Sequence, residues 1–167
     1  RVAPAEIPAG DGFWTGKAPR RGECPGMDAS GVLRSLPLPD TARASRQEVL
    51  DYFDNGWALT EVLFSALKTP EAFLRPPYHG LRHPMIFYYA HPAAVYVNKM
   101  RLAGLLSAPI DPCFEQLFET GVDEMSWDDI SKNEMPWPPV AEVHAYRARV
   151  YQAVRRVLAE HPGLAPG

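Results

Sequence analysis

Cysteine is scarce: Cys24 and Cys113 are the only two in 167 residues. A disulfide framework is thereby excluded, and a reducing compartment is the expected setting. Long apolar runs are missing as well. No stretch approaches the roughly eighteen apolar residues that a membrane helix needs, and no charged start, apolar run and small-residue site marks a signal peptide. Charge of one sign is not in surplus: the formal net charge is −3, which gives no electrostatic case for nucleic acid or an acidic membrane. The chemical fingerprints of several enzyme classes are absent too. There is no glycine-rich phosphate loop, no dinucleotide fingerprint and no Gly-Xaa-Ser-Xaa-Gly elbow. There is no Cys-Xaa-Xaa-Cys, and His79 and His83, which stand four apart, have Gly80 between them and Pro84 directly after.

What the chain does have is proline, 18 residues, about twice the usual share. It also has an ordinary globular balance of 46% hydrophobic and 22% charged residues. Its length suits one domain with a real core. The first residue is Arg1 and not methionine, as expected after removal of a leader or trimming. A cytoplasmic setting is expected, with an organelle after leader removal as the alternative.

Residues 1–44 are rich in proline and glycine and keep neither a 3.6 nor a 2 period, so they read as an extended arm. Phe13-Trp14, Val32-Leu33, Leu36 and Leu38 are its expected anchors. The helical domain is placed at 45–161 and a tail at 162–167. Ser45 with Glu48 forms a capping box that opens the first helix. Leu50, Phe53, Trp57, Phe64 and Leu67 make its apolar face, and Thr69-Pro70 is its expected stop. Gly56 weakens it locally and is expected to admit a close neighbour. Residues 70–82 read as a loop with a short helical turn at Glu71 to Leu74.

The most apolar and aromatic stretch runs from Arg82 to Leu102 and is expected to be the central helix. Pro84 suits its first position. The apolar residues from Met85 to Val97 lie nearly all round, which predicts burial on most sides, and Pro92 predicts a kink near His91. Gly104 or Ser107 should close it. A short amphipathic helix is expected at Cys113 to Glu119, with Gly121 as its terminator. Val122 to Asp129 reads as an ordered loop carrying Asp123, Glu124, Asp128 and Asp129. The last helix is expected from Val140 to Glu160, with Val140, Val143, Val150, Val154, Val157 and Leu158 as its stripe. The expected fold is therefore all-α, an up-down bundle of three long helices in which an apolar groove lies where a fourth would sit.

His91, in the middle of the central helix, is either a packed core residue or a ligand. His83 and His91 are eight residues apart, about 12 Å along a helix axis, too far to share one metal. His79 and His83 would pair only if one helix held both, and Gly80 and Pro84 argue against that. His144 sits at the edge of the last helix's stripe. Spacing alone gives a helical domain and no chemistry.

Three segments carry a resemblance. They are Arg82-His83-Pro84-Met85-Ile86-Phe87-Tyr88-Tyr89-Ala90-His91-Pro92, Tyr96-Val97-Asn98-Lys99-Met100-Arg101-Leu102-Ala103-Gly104 and Gly121-Val122-Asp123-Glu124-Met125-Ser126-Trp127-Asp128-Asp129. Together they resemble the N-terminal DinB-like domain of ovothiol synthase, the iron-dependent 5-histidylcysteine sulfoxide synthase. Trp14-Thr15-Gly16-Lys17, Ser35-Leu36-Pro37-Leu38-Pro39, Tyr52-Phe53-Asp54-Asn55-Gly56-Trp57 and Trp137-Pro138-Pro139-Val140-Ala141-Glu142-Val143 fit the same family. The resemblance implies a mononuclear Fe(II) held by three histidines, which uses oxygen to couple cysteine sulfur to the imidazole of histidine. It implies that His91 is one metal ligand. The other two belong to a His-Xaa-Xaa-Xaa-His-Xaa-Glu motif on the fourth bundle helix, which this sequence does not contain, and the family's catalytic domain is not in it either. The chain alone is therefore expected to be an incomplete iron site without bound iron. Its expected partners are the remaining enzyme domains or another protein chain that completes the bundle, with no nucleic acid and no membrane span. The alternative is a catalytically inactive derived domain that serves as a structural or docking subunit of a larger assembly.

Overall fold

A computed structural model describes residues 24–40, 42–79, 82–119 and 136–162. Among them the chain is all-α: five helices and no strand, with one isolated antiparallel bridge between Met27 and Leu33. The helices are α1 (Arg46–Phe64), α2 (Pro70–Leu74), α3 (Met85–Leu102), α4 (Pro112–Leu117) and α5 (Val140–Glu160). The described residues form two compact units, one of 24–66 with 152–162 and the other of 67–151. The expected anchor Phe13-Trp14, the acidic stretch from Val122 to Asp129, the terminator Gly121 and most of the tail lie outside the described residues.

In the first unit, Ser45 and Glu48 cap α1 reciprocally. The Ser45 hydroxyl accepts the Glu48 N–H at 3.2 Å, and the Glu48 carboxylate accepts the Ser45 N–H at 2.7 Å. This satisfies two of the donors that a helix start leaves orphaned. The helix stops at Phe64, short of the expected Thr69-Pro70. Ser65 is the reason: its hydroxyl donates to the Val62 carbonyl at 2.6 Å, and Ala66 N–H turns back to Leu63 O. These shorter bonds tighten the last turn and end the ladder before Leu67. Leu50, Phe53, Trp57, Ala58 and Phe64 are buried along one face. The last turns of α5 are tied in by Arg46, whose guanidinium donates to Leu158 O and His161 O at 2.8 and 3.1 Å. Those are carbonyls that a helix end leaves without intrahelical partners. Asp54 meets Arg155 at 3.1 Å.

Gly56 corrects an expectation. A Cβ at this position would meet nothing within 4 Å, so no neighbour needs the glycine. Gly56→Ala should then raise stability by about 0.5–1 kcal/mol, because only backbone entropy is at stake. A melting or denaturation midpoint that stays put or falls would contradict this.

The arm is held by a side chain that the hydrophobic pattern does not reveal. Asn55 on α1 is 1% exposed. Its amide donates to Pro25 O and Arg34 O, both at 2.8 Å, and its carbonyl accepts Leu36 N–H at 2.9 Å. Leu38, expected as an anchor, is instead 76% exposed. The apolar anchor is Met27, which is buried where the chain folds back through its bridge to Leu33.

The second unit is built on α3. Pro84 precedes the helix as its cap and is not its first residue, because its ψ of 159° is extended. The helix continues through Pro92 and ends in a Schellman motif: Gly104 N–H bonds Arg101 O, Leu105 N–H bonds Met100 O at 2.8 Å, and Gly104 takes φ +72°. Gly104, not Ser107, is therefore the terminator, and its left-handed backbone suits glycine. Between Met85 and Val97, burial on α3 covers all but one stripe, with Tyr88, His91 and Val95 half-buried. Ile86, Phe87, Tyr89, Ala90, Ala93, Ala94 and Val97 are buried, while Met85, Pro92 and Tyr96 form an exposed stripe. The expectation of burial on most sides holds from Met85 to Val97, with that stripe as the exception.

In α4, the Asp111 carboxylate accepts Phe114 N–H at 3.2 Å and Pro112 takes the first position. The helix ends at Leu117, so Glu119 lies beyond it. The first turns of α5 bury Val140, Val143, Tyr146, Arg147 and Val150.

Candidate functional site

His83, Phe87 and His91 are spaced by four residues across the start of α3. The Phe87 ring lies between the two imidazoles, 4.3 Å from His83 and 5.0 Å from His91 between centroids, the latter pair stacked at 24°. His83 itself precedes the helix, and its N–H donates to the Tyr88 hydroxyl at 3.3 Å. Phe118 and Trp137 stack on each other at 6.0 Å, and both also lie beside Phe87. The result is an aromatic column in which His91 is half-buried.

His91 Nδ1 lies 2.7 Å from the Phe118 carbonyl oxygen. A carbonyl can only accept, so Nδ1 carries the proton. In the neutral ring that leaves the lone pair on Nε2. The Phe118 carbonyl is available because it caps α4, where the last carbonyls have no intrahelical donor. A histidine that donates one ring N–H to a backbone carbonyl has its tautomer and orientation fixed, a feature that metal-ligating histidines share.

The position of that carbonyl traces back to Glu115, which is 2% exposed. Its Oε1 accepts Ile110 N–H at 2.7 Å and Asp111 N–H at 3.0 Å, and Arg101 on α3 stands 3.7 Å from Oε2. Asn98 Nδ2, also on α3, reaches Glu115 O at 3.4 Å. A buried carboxylate in this setting needs such partners, and here they tie α4 to α3. Burial and the nearby Glu115 and Asp111 charges push the Tyr146 phenol well above its ordinary range.

His144 belongs to a different cluster. Its ring lies edge-on to Phe73 at 5.8 Å and to Tyr89 at 5.4 Å. Burial, with the Arg147 charge adding to it, pushes the His144 imidazole down to about 4. The unfolded chain therefore takes up this proton first as pH falls. Stability should drop between about pH 6.5 and pH 4, with no further loss from this group below pH 4, by about 1–2 kcal/mol once partial exposure is allowed for. A denaturation series over that window should show a slope that His144→Phe removes. A slope unchanged in the variant would refute the assignment.

His79 is exposed and, like His83, outside any helix, so the two do not share a helical face. The acids Asp123, Glu124, Asp128 and Asp129 lie outside the described residues. Among the described residues no three His, Cys, Asp or Glu side chains converge as a metal site would require. Cys24 and Cys113 are free thiols. Burial, reinforced by Asp54, pushes the Cys24 thiol up to about 11, so it stays protonated and unreactive.

Sequence reasoning missed Glu115 and the Phe118 carbonyl. The four-residue spacing of His83, Phe87 and His91 was a signal that could have flagged the column. No known protein family and no curated protein matches the chain. No described helix is long and apolar enough to cross a membrane.

Proposed function

We propose that this chain is a DinB-like helical domain of an iron(II)- and oxygen-dependent sulfoxide synthase of the ovothiol-synthase type, and that His91 is its contribution to the metal site. The bond from His91 Nδ1–H to Phe118 O carries the reading. It leaves Nε2 as the ligating nitrogen and sets the ring's direction from a helix end that Glu115 fixes. Phe87, Phe118 and Trp137 supply the apolar wall that limits solvent on one side of the ring. The iron, held with two further histidines that this sequence does not contain, would supply oxygen activation for coupling cysteine sulfur to a histidine imidazole. Imidazole ligands with open positions suit iron(II).

The test uses the protein that carries this chain together with the remaining ligands. Incubated with Fe(II), cysteine, histidine and oxygen, it should form the sulfoxide-linked product, detected by mass. His91→Ala should reduce product by at least about a hundredfold, since losing a ligand costs no less than losing one of its outer-shell partners. Full product formation by His91→Ala would refute the assignment.

A second reading, a catalytically inactive docking subunit, is favoured by one observation. Met85 and Tyr96 are 48% and 41% exposed on the same stripe of α3 as Pro92, an apolar face of the kind that protein contacts use. Tyr96→Asp should abolish association in that case and leave the iron reading untouched.

A further inference from the structure

The segment after the Met27 bridge has a regularity of its own. Along residues 33–40, Leu33, Leu36 and Pro39 are half-buried, while Arg34, Ser35, Pro37, Leu38 and Asp40 are exposed. Burial thus recurs every third residue. That is neither the helical period nor the alternation of a strand. It is the period of a polyproline II helix, which has three residues per turn. The sequence dictates this geometry. Pro37 and Pro39 fix their own φ, and each restricts the residue before it, Leu36 and Leu38, to extended backbone. One ridge, Leu33-Leu36-Pro39, faces the protein. Two ridges face outward: Arg34-Pro37-Asp40 and Ser35-Leu38.

The strap is also held at both ends. Leu36 N–H is bonded to Asn55 Oδ1 at 2.9 Å, and Arg34 O accepts from Asn55 Nδ2 at 2.8 Å. After Pro39, the Asp40 carboxylate accepts Ala42 N–H at 3.0 Å, and the Asp40 carbonyl accepts the N–H groups of Arg43 and Ala44. Its conformation is therefore set before any partner arrives, which lowers the ordering cost of binding. Leu38 is 76% exposed between two prolines, so its side chain is within reach of a partner.

We propose that residues 34–39 are a docking strap for a protein with an aromatic-lined groove that grips a polyproline II ligand. The groove takes Pro37 and Leu38 from adjacent ridges, and Arg34 at the N-terminal end gives the ligand its direction by meeting an acidic side chain beside the groove. Grooves of this kind exploit a preformed, low-entropy ligand. The prolines here stand two apart, Pro37-Leu38-Pro39, and not three. The strap therefore fits a short groove that holds one proline and its apolar neighbour, as in WW domains, and does not fit an SH3 groove that needs Pro-Xaa-Xaa-Pro.

The experiment titrates the isotope-labelled full chain with a panel of purified WW domains and, in parallel, with purified SH3 domains, and follows backbone amide resonances. At least one WW domain should give saturable shifts centred on Leu36, Leu38 and Arg34, and the SH3 domains should give none. Pro37→Ala and Leu38→Ala should each weaken WW binding by about tenfold or more with the melting temperature unchanged, since both side chains are exposed. Arg34→Glu should weaken it as well. Absence of saturable shifts with every WW domain would overturn the proposal. So would equal binding by SH3 domains, or Pro37→Ala and Leu38→Ala variants that bind like the parent.

Discussion

Asn55→Ala should cost about 3 kcal/mol or more, one of the two largest losses expected from any single change in this chain. The side chain is almost fully buried, and it serves three backbone groups that come from different turns of the arm: Pro25 O, Arg34 O and Leu36 N–H. Removing it leaves all three part-buried groups without this partner, and a stranded group costs more than the bond was worth. Gly26→Ala attacks the same clamp from the other side. Gly26 takes φ +82°, and a Cβ there would press on the Asn55 amide nitrogen and the Arg34 carbonyl oxygen. The left-handed backbone costs about 1–2 kcal/mol for any L side chain, and the collision adds to it. Chemical denaturation of the two single variants and the double variant checks the account. The two losses should be strongly less than additive, because both break one clamp. Additive losses, or an Asn55→Ala loss within a few tenths of a kcal/mol of zero, would show that the arm is held by something else.

Arg147→Ala should cost about 3–4 kcal/mol. Arg147 is 1% exposed, its guanidinium donates to Tyr89 O at 2.5 Å, and its centre stands 4.0 Å over the Tyr89 ring. The truncation removes a charge-assisted hydrogen bond, a cation–π contact and the volume of a long side chain at once. Lysine does not replace it, because a compact ammonium lacks the planar face that lies over the ring. Arg147→Lys should therefore recover less than half of the loss. It should also leave His144 next to a positive charge, so the acid sensitivity between pH 6.5 and 4 should persist in Arg147→Lys and shrink in Arg147→Ala. Full recovery of stability by lysine would mean that charge alone holds the site.

The helices were legible in the sequence because their signals are local. The Ser45–Glu48 box, the turn at Pro70, the Gly104 terminator and the valine stripe of α5 each act within one or two turns. Burial was less legible. The α3 pattern is apolar nearly all round, yet Met85, Pro92 and Tyr96 are exposed, because composition does not say how many neighbours a helix has. The polar clamps were the least legible. Asn55, Glu115 and Arg147 are all buried, and hydrophobic periodicity places such residues on the surface. Their partners are backbone groups far along the chain, which periodicity cannot register. His91 was visible as a histidine on an apolar helix, but its orientation comes from a carbonyl at the end of another helix. The Pro37–Pro39 strap shows the converse. Its backbone was written in the prolines, and only the three-residue alternation of burial shows which ridge is turned outward.

The central claim is that His91 is a metal ligand, and iron stoichiometry tests it most directly. The protein that carries this chain together with the other two histidine ligands is loaded with Fe(II) under anaerobic conditions, desalted and assayed for iron per polypeptide. Parent and His144→Phe should retain close to one equivalent. His91→Ala should retain at least about tenfold less, since loss of an outer-shell partner alone already costs roughly 10–100-fold in metal affinity. A His91→Ala protein that holds iron as the parent does, while remaining folded, would contradict the account.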